Sequence, residues 1–380
     1  MTHTKLPKYV LWPISKLYEF GVICRNRLFD WGILKQEEFN VPIVVIGNIA
    51  VGGTGKTPHT EYIIKELQSR YNIAILSRGY KRKTKGFVIA TKDSTPNQIG
   101  DEPYQMYSKF NGSIPVAVCE NRRVGIAKLL DINKDINLIL LDDAFQHRYV
   151  KPSVAILLTE FGRPLFEDEM LPLGNLREPI VALNRADMVV VTKCPENIKP
   201  METRIFNNKL KAFPYQHLSF SKFNYGQLVP LFPHEVSSIP SLDWLNNDDV
   251  ILAVCGIGNP QPFIKKIKSY SARVKISTYP DHYEFNDSDL EFIRKRFLSI
   301  EAKNKYIITT EKDAVRLINN PNLPKEIKPF IFYLPVEVEF LNTGSDSNFI
   351  NTLIELINKH QKKVYELMKK SLETHGEAAY

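Results

Sequence analysis

Ile43-Val44-Val45-Ile46-Gly47, followed shortly by Gly52-Gly53-Thr54-Gly55-Lys56-Thr57, reads as a buried strand running through a glycine-rich turn into a helix. In such a loop the glycines let consecutive backbone N–H groups turn toward phosphate oxygens. The lysine supplies charge for the terminal phosphates, and the hydroxyl supplies an oxygen for Mg²⁺. Gly52, Gly53, Thr54, Gly55, Lys56 and Thr57 are therefore the expected phosphate-binding residues. Ala50 stands where the usual pattern begins with glycine, so the match is incomplete. The plainer alternative is a glycine-rich turn that caps a helix.

A loop of this kind calls for a metal carboxylate at the end of a neighbouring buried strand. Leu138-Ile139-Leu140-Leu141-Asp142-Asp143 supplies it, because four apolar residues bury the strand on both faces and the acid emerges beside the phosphates. Thr57, Asp142 and Asp143 are the expected metal residues, although paired acids after a strand also serve as ordinary N-caps.

Outward from these motifs, short apolar strands alternate with helical stretches. The strands are expected at Ile43–Gly47, Ile73–Ser77, Val116–Cys119, Leu138–Leu141, Val154–Leu158 and Met188–Thr192, with helices at Thr57–Gln68, Pro103–Lys109 and Val124–Asp131. This is the pattern of a parallel sheet covered on both faces. A looser Pro- and Phe-rich stretch follows, and a second alternation then starts with strands near Val250–Cys255, Val274–Thr278, Tyr306–Thr310 and Phe330–Leu334. The expected fold class is α/β, a P-loop NTPase-like α/β/α sandwich with a second, smaller α/β domain. The boundaries read as an N-terminal amphipathic helix over 1–34, a phosphate-loop domain over 35–215 and a linker over 216–249. The second domain covers 250–340, and a C-terminal helix with a polar tail covers 341–380.

The chain has 380 residues, 43% of them hydrophobic, which suffices for two domains with cores. Its formal charge of +8 favours anionic partners without choosing among them. Cys24, Cys119, Cys194 and Cys255 lie far apart, so neither a zinc site nor a disulfide framework is indicated and a reducing cytosol fits. No run of about 18 apolar residues exists to span a bilayer. Between Ile14 and Asp30, one helical arc carries Ser15, Lys16, Glu19, Asn26, Arg27 and Asp30, and the other carries Ile14, Leu17, Tyr18, Cys24, Leu28 and Phe29. Such a helix docks on the protein's own core or lies on a membrane surface.

Eight blocks in the same order resemble the tetraacyldisaccharide 4′-kinase family of lipid A synthesis. They are Gly53-Thr54-Gly55-Lys56-Thr57-Pro58, Ser77-Arg78-Gly79-Tyr80, Gly100-Asp101-Glu102-Pro103, Asp142-Asp143-Ala144-Phe145-Gln146-His147, Leu171 to Pro179, Arg185-Ala186-Asp187, Gly256 to Pro260 and Thr310 to Ala314. The resemblance implies an ATP- and Mg²⁺-dependent kinase that phosphorylates the 4′-hydroxyl of an acylated glucosamine disaccharide 1-phosphate. It also implies a glycolipid substrate at the cytoplasmic face of a bacterial inner membrane, contacted by the N-terminal helix, with no nucleic acid and no stable protein partner. Asp101 is implied as the base that takes the hydroxyl proton, acting with His282, while Lys56 neutralises phosphate charge. Arg78, Arg122 and Arg177 are candidates for gripping substrate, and Glu178 for completing the metal shell or positioning an arginine. Ala144 departs from the glycine common in the family's block and implies a backbone with φ below zero there.

A nucleotide-binding GTPase or metallochaperone shares the loop and the paired acids. However, Thr192-Lys193-Cys194-Pro195 lacks the guanine-reading acid, and Thr310-Glu311-Lys312-Asp313 has the wrong spacing. A purely membrane-binding module would leave the phosphate loop without a purpose.

Overall fold

The structure, a computed structural model, describes residues 8–210, 213–236, 238–270, 272–281, 283–342 and 348–376. Its strands are β1 (Ile43–Gly47), β2 (Ile73–Ser77), β3 (Val88–Ile89), β4 (Val116–Val118), β5 (Leu138–Asp142), β6 (Val154–Glu160), β7 (Met188–Thr192), β8 (His217–Tyr225), β9 (Val229–Pro230), β10 (Val250–Cys255), β11 (Arg273–Thr278), β12 (Lys305–Thr310), β13 (Ile331–Leu334) and β14 (Val336–Phe340). Its α-helices are α1 (Lys8–Asp30), α2 (Lys56–Leu67), α3 (Pro96–Ile99), α4 (Asp101–Lys109), α5 (Arg122–Ile132), α6 (Pro200–Leu210), α7 (Gln261–Lys268), α8 (Asp287–Leu298), α9 (Glu311–Ile318) and α10 (Phe349–Gly376).

A nine-stranded sheet runs β14-β8-β7-β6-β1-β5-β2-β4-β3, and a five-stranded sheet runs β11-β10-β12-β13-β9. Successive β1 residues point to opposite sides, so Ile43 and Val45 join one core while Val44 and Ile46 join the other. The first core is closed by Ile126 and Leu129 of α5 and Phe206 and Leu210 of α6. The second is closed by Ile63, Ile64 and Leu67 of α2, Met106 of α4, and Phe349, Ile350, Leu353 and Ile357 of α10. Burial on both faces explains the unbroken apolar runs of β1 and β5, where each buried Val, Leu or Ile contributes roughly 1.5–3 kcal/mol. Parallel pairing sets Ile46 of β1 opposite Asp142 of β5, which carries the acid to the glycine-loop end of the sheet.

The expected boundaries need correction in two places. Residues 216–249, read as a linker, form β8, which extends the large sheet beside β7, and β9, which pairs with β13. Residues 336–340, assigned to the second domain, form β14 and pair antiparallel with β8. The smaller sheet is therefore bracketed by β8 and β14, and α10 returns to pack on the larger one.

Part of the polar arc of α1 meets the protein. Ser15, on the polar arc, is buried and donates to Met170 O at 2.9 Å, and Asn26 donates to Glu178 Oε2 at 3.0 Å. Arg25 donates to Gln146 O, and Phe29 packs inward under Arg148. Tyr9, Trp12, Ile14, Leu17, Phe20 and Ile23 remain exposed. The helix thus turns polar groups toward the protein and much of its apolar surface outward. No helix among the described residues is long and apolar enough to cross a membrane.

Candidate active site

The glycine loop uses two residues in the left-handed half of conformational space, Gly52 (φ +117°) and Gly55 (φ +90°). A Cβ on Gly55 would come within 2.5 Å of Phe223 Cζ, and one on Gly52 within 2.8 Å of Arg163 Nη2. Only glycine fits both places. Arg163 donates to Val51 O, Asn48 Nδ2 to Thr54 Oγ1, and Thr192 Oγ1 to Thr54 O, so the ends of neighbouring strands brace the loop. Lys56 then opens α2 with its Nζ 3.5 Å from Asp143 Oδ1.

Asp142 is fully buried at the end of β5, and its Oδ1 accepts from Thr60 at 3.2 Å. Its Oδ2 is buried with no partner. Burial, with Glu102 and Asp143 nearby, pushes its pKa up to about 7 against the pull of Lys56 and Thr60. A buried carboxylate oxygen lacking a donor suits a hard cation, so these residues fit Mg²⁺. Among the described residues no group of three or more His, Cys, Asp or Glu could hold a metal alone. A phosphate-loop Mg²⁺ needs no such group, since phosphates and water complete its shell.

Asp143 adopts φ 46°, and Ala144 beside it is not left-handed, as its side chain implied. Burial raises the Asp143 carboxyl, but Lys56 and Arg177 outweigh it and hold the pKa below its ordinary value. Arg177 reaches Asp143 Oδ1 at 3.3 Å and also donates to the Asn48 side chain. Arg122 is buried with its Nη1 on Cys119 O and Glu120 O, and its Nε has no partner. Burial and nearby Arg78 lower its pKa to about 10, while Asp143 and Asp142 oppose them. Arg78 itself is exposed. Lys56, Asp142, Asp143, Arg122 and Arg177 therefore gather at one end of the sheet.

Glu178 is placed differently. Its Oε2 accepts from Asn26 of α1 and, at 2.7 Å, from Arg185, whose guanidinium lies 4.5 Å from the Phe145 ring centre. It links α1 to the segment between β6 and β7 and holds an arginine, and its Oε1 is buried with no hydrogen-bond partner. Asp101 opens α4, and its Oδ2 accepts from Arg316 Nε at 3.1 Å and Nη2 at 2.8 Å. His282 lies outside the described residues.

The profile of the tetraacyldisaccharide-1-P 4′-kinase family matches residues 7–357. The chain belongs to this family. It is 49% identical over 343 residues to the tetraacyldisaccharide 4′-kinase of Bacteroides thetaiotaomicron, covering 88% of this chain and 90% of that one. It is 47% identical to that of Bacteroides fragilis, covering 93% and 94%. Among solved structures, LpxK from Aquifex aeolicus in complex with ATP superposes with a TM-score of 0.70 at 28% identity, covering 93% of this chain and 99% of that one. The P-loop α/β fold and kinase class expected from the motifs therefore hold.

Several site residues escaped sequence reasoning. Thr60 sits one helical turn beyond Lys56 and so reaches Asp142, a spacing that was legible. Asn48, Arg163, Phe223 and Arg316 carry no motif and reach the site only through tertiary pairing. His59 is buried, with Nδ1 2.7 Å from Gly55 O and Nε2 2.8 Å from Ser221 Oγ. A carbonyl only accepts, so Nδ1 carries a proton. Burial lowers its pKa to about 4. In the unfolded chain it would protonate near 6.5. Between those values the unfolded state binds more protons, so stability falls as pH drops from about 6.5 to about 4. Melting temperature should decline across that window, and less steeply in His59→Gln. Equal slopes for the two proteins would contradict this role for His59.

Proposed function

We propose that this chain transfers the γ-phosphoryl group of ATP to the 4′-hydroxyl of an acylated glucosamine disaccharide 1-phosphate, working on the cytoplasmic face of a membrane. The observation that carries the reading is the partnerless buried oxygen of Asp142 beside the Lys56–Asp143 pair at the mouth of the glycine loop. Such a site favours a metal-bound triphosphate over a lone anion.

The loop N–H groups and Lys56 hold the phosphates and neutralise charge that grows on the bridging oxygen. Asp142, Thr57 and Asp143 are the residues that would hold Mg²⁺, which neutralises phosphate charge when bound. Arg122, Arg177 and Arg78 orient the anionic groups. A bond forms between the sugar 4′-oxygen and Pγ as the bond from Pγ to the bridging oxygen breaks, ADP leaves, and Asp101 accepts the hydroxyl proton. His282 assists Asp101.

The outward apolar face of α1 supports contact with lipid, since each large apolar side chain entering the acyl boundary contributes about 1.5–3 kcal/mol. Deleting α1 would also strip Asn26 from Glu178 and Arg25 from Gln146, so point changes isolate the lipid contact. Leu17→Glu with Phe20→Glu should weaken cosedimentation with anionic vesicles at least about tenfold and leave ATP binding unchanged. In the same preparations, label from γ-³²P ATP should pass to the disaccharide lipid on thin-layer plates. Undiminished vesicle binding would remove the lipid role of α1, and absence of labelled product from the wild type would remove the substrate assignment.

A further inference from the structure

Among the described residues, three ionic links join α9 of the smaller sheet's layer to α4 of the larger one: Glu311 to Lys109, Lys312 to Glu102, and Arg316 to Asp101. The third is built differently. Arg316 has a side chain only 7% exposed, and its Nη1 is held from behind by Asp313 Oδ1 at 2.9 Å. Asp313 is itself fully buried, and its Oδ2 accepts from the Gly256 amide at 2.8 Å and the Thr310 hydroxyl at 2.7 Å. Thr310 in turn caps α9 by accepting from the Asp313 amide. The guanidinium is thus fixed on one side by a buried carboxylate and presents Nε and Nη2 together to Asp101 Oδ2. A bridge whose purpose was to join two surfaces would need no such backing, because exposed pairs add little and arginine's fork serves chiefly to set geometry.

We infer that Arg316 is the positioning residue for Asp101, a pre-oriented guanidinium delivered by the smaller unit that holds the carboxylate where the acceptor hydroxyl arrives. The inference rests on the assignment of Asp101 as proton acceptor. It makes that acceptor complete only while α9 sits against α4, which ties the chemistry to contact between the two layers. Misplacing a catalytic group by about an ångström can cost on the order of 10²-fold in rate.

Arg316→Ala should therefore lower kcat about 10²-fold with the KM for ATP within about twofold of wild type. Arg316→Lys should recover part of the loss, and millimolar guanidinium should restore activity to the alanine variant. In an Asp101→Ala background the Arg316 change should cost nothing further, since it acts through Asp101. Glu311→Gln, which weakens another link between the same helices, is the comparison for a merely structural role and should cost far less. An equal loss in Glu311→Gln, or single losses that multiply in the double variant, would overturn the inference. Should Arg316→Ala not fold, Arg316→Lys carries the test, and wild-type kcat in that variant is the overturning result. Full kcat in Asp101→Ala would instead remove the base assignment, whereas a drop there with wild-type kcat in Arg316→Ala removes only the role of Arg316.

Discussion

Alanine in place of Lys56 is expected to lower turnover by about 10³-fold or more at saturating ATP while the fold persists. The lysine opens α2, its side chain is only 14% exposed, and its ammonium is aimed at the space between the glycine loop and Asp143. Phosphoryl transfer leaves little covalent work to the protein, so removing the charge that meets the bridging oxygen removes a large share of what the site supplies. The same change leaves Asp143 with Arg177 as its remaining cationic partner and should raise its pKa toward the ordinary range. Single-turnover transfer measured with a circular dichroism melt checks both halves. A variant that melts like wild type and turns over like wild type would refute the phosphate-loop role.

Strands buried on both faces were the most legible part of the chain. Ile43–Gly47, Ile73–Ser77, Met188–Thr192 and Val250–Cys255 are bounded in the structure as their apolar runs predict, because a strand buried on both faces must be apolar at every position. β8 was not read as a strand. His217–Tyr225 mixes Lys, Ser, Asn and aromatic residues and is half-buried near the sheet edge, where alternation is the signal and a Pro-rich neighbourhood obscures it. Its partner β14 follows more than a hundred residues later, and no local pattern announces a pairing at that separation.

The site divides along the same line. Lys56, Thr57, Asp142 and Asp143 declare themselves because backbone geometry next to a phosphate dictates residue type and spacing. Of the two roles open to Glu178, the arginine contact is the one seen: Arg185 lies seven residues on, and Asn26 is brought near by the docking of α1. The α1 wheel left core docking and membrane contact open, and in the fold Ser15 and Asn26 of its polar arc, together with Arg25, face backbone carbonyls and a carboxylate of the protein. A helical wheel reports that two faces differ and is silent on which one meets protein when a membrane can take the other.

Loss of the Asp101 carboxylate should lower kcat by about 10²- to 10⁴-fold, the range for removing a general base. Nucleotide affinity should hold, because Asp101 belongs to α4 and its side chain pairs with Arg316, while the phosphate loop is braced by Asn48, Thr192 and Arg163. An acid at the first position of a helix also favours the helix dipole by about 0.3–1 kcal/mol, so Asp101→Ala should cost a little stability. Asp101→Asn, which keeps shape and loses charge, is the cleaner variant for kinetics. If His282 shares the proton path, His282→Ala should lower kcat within the same range, and the double variant should lose little more than the worse single one. Pre-steady-state transfer with nucleotide already bound separates the chemical step from binding. A double variant whose defect equals the product of the single defects would show two independent contributions, and the proton path through both residues would then have to be given up.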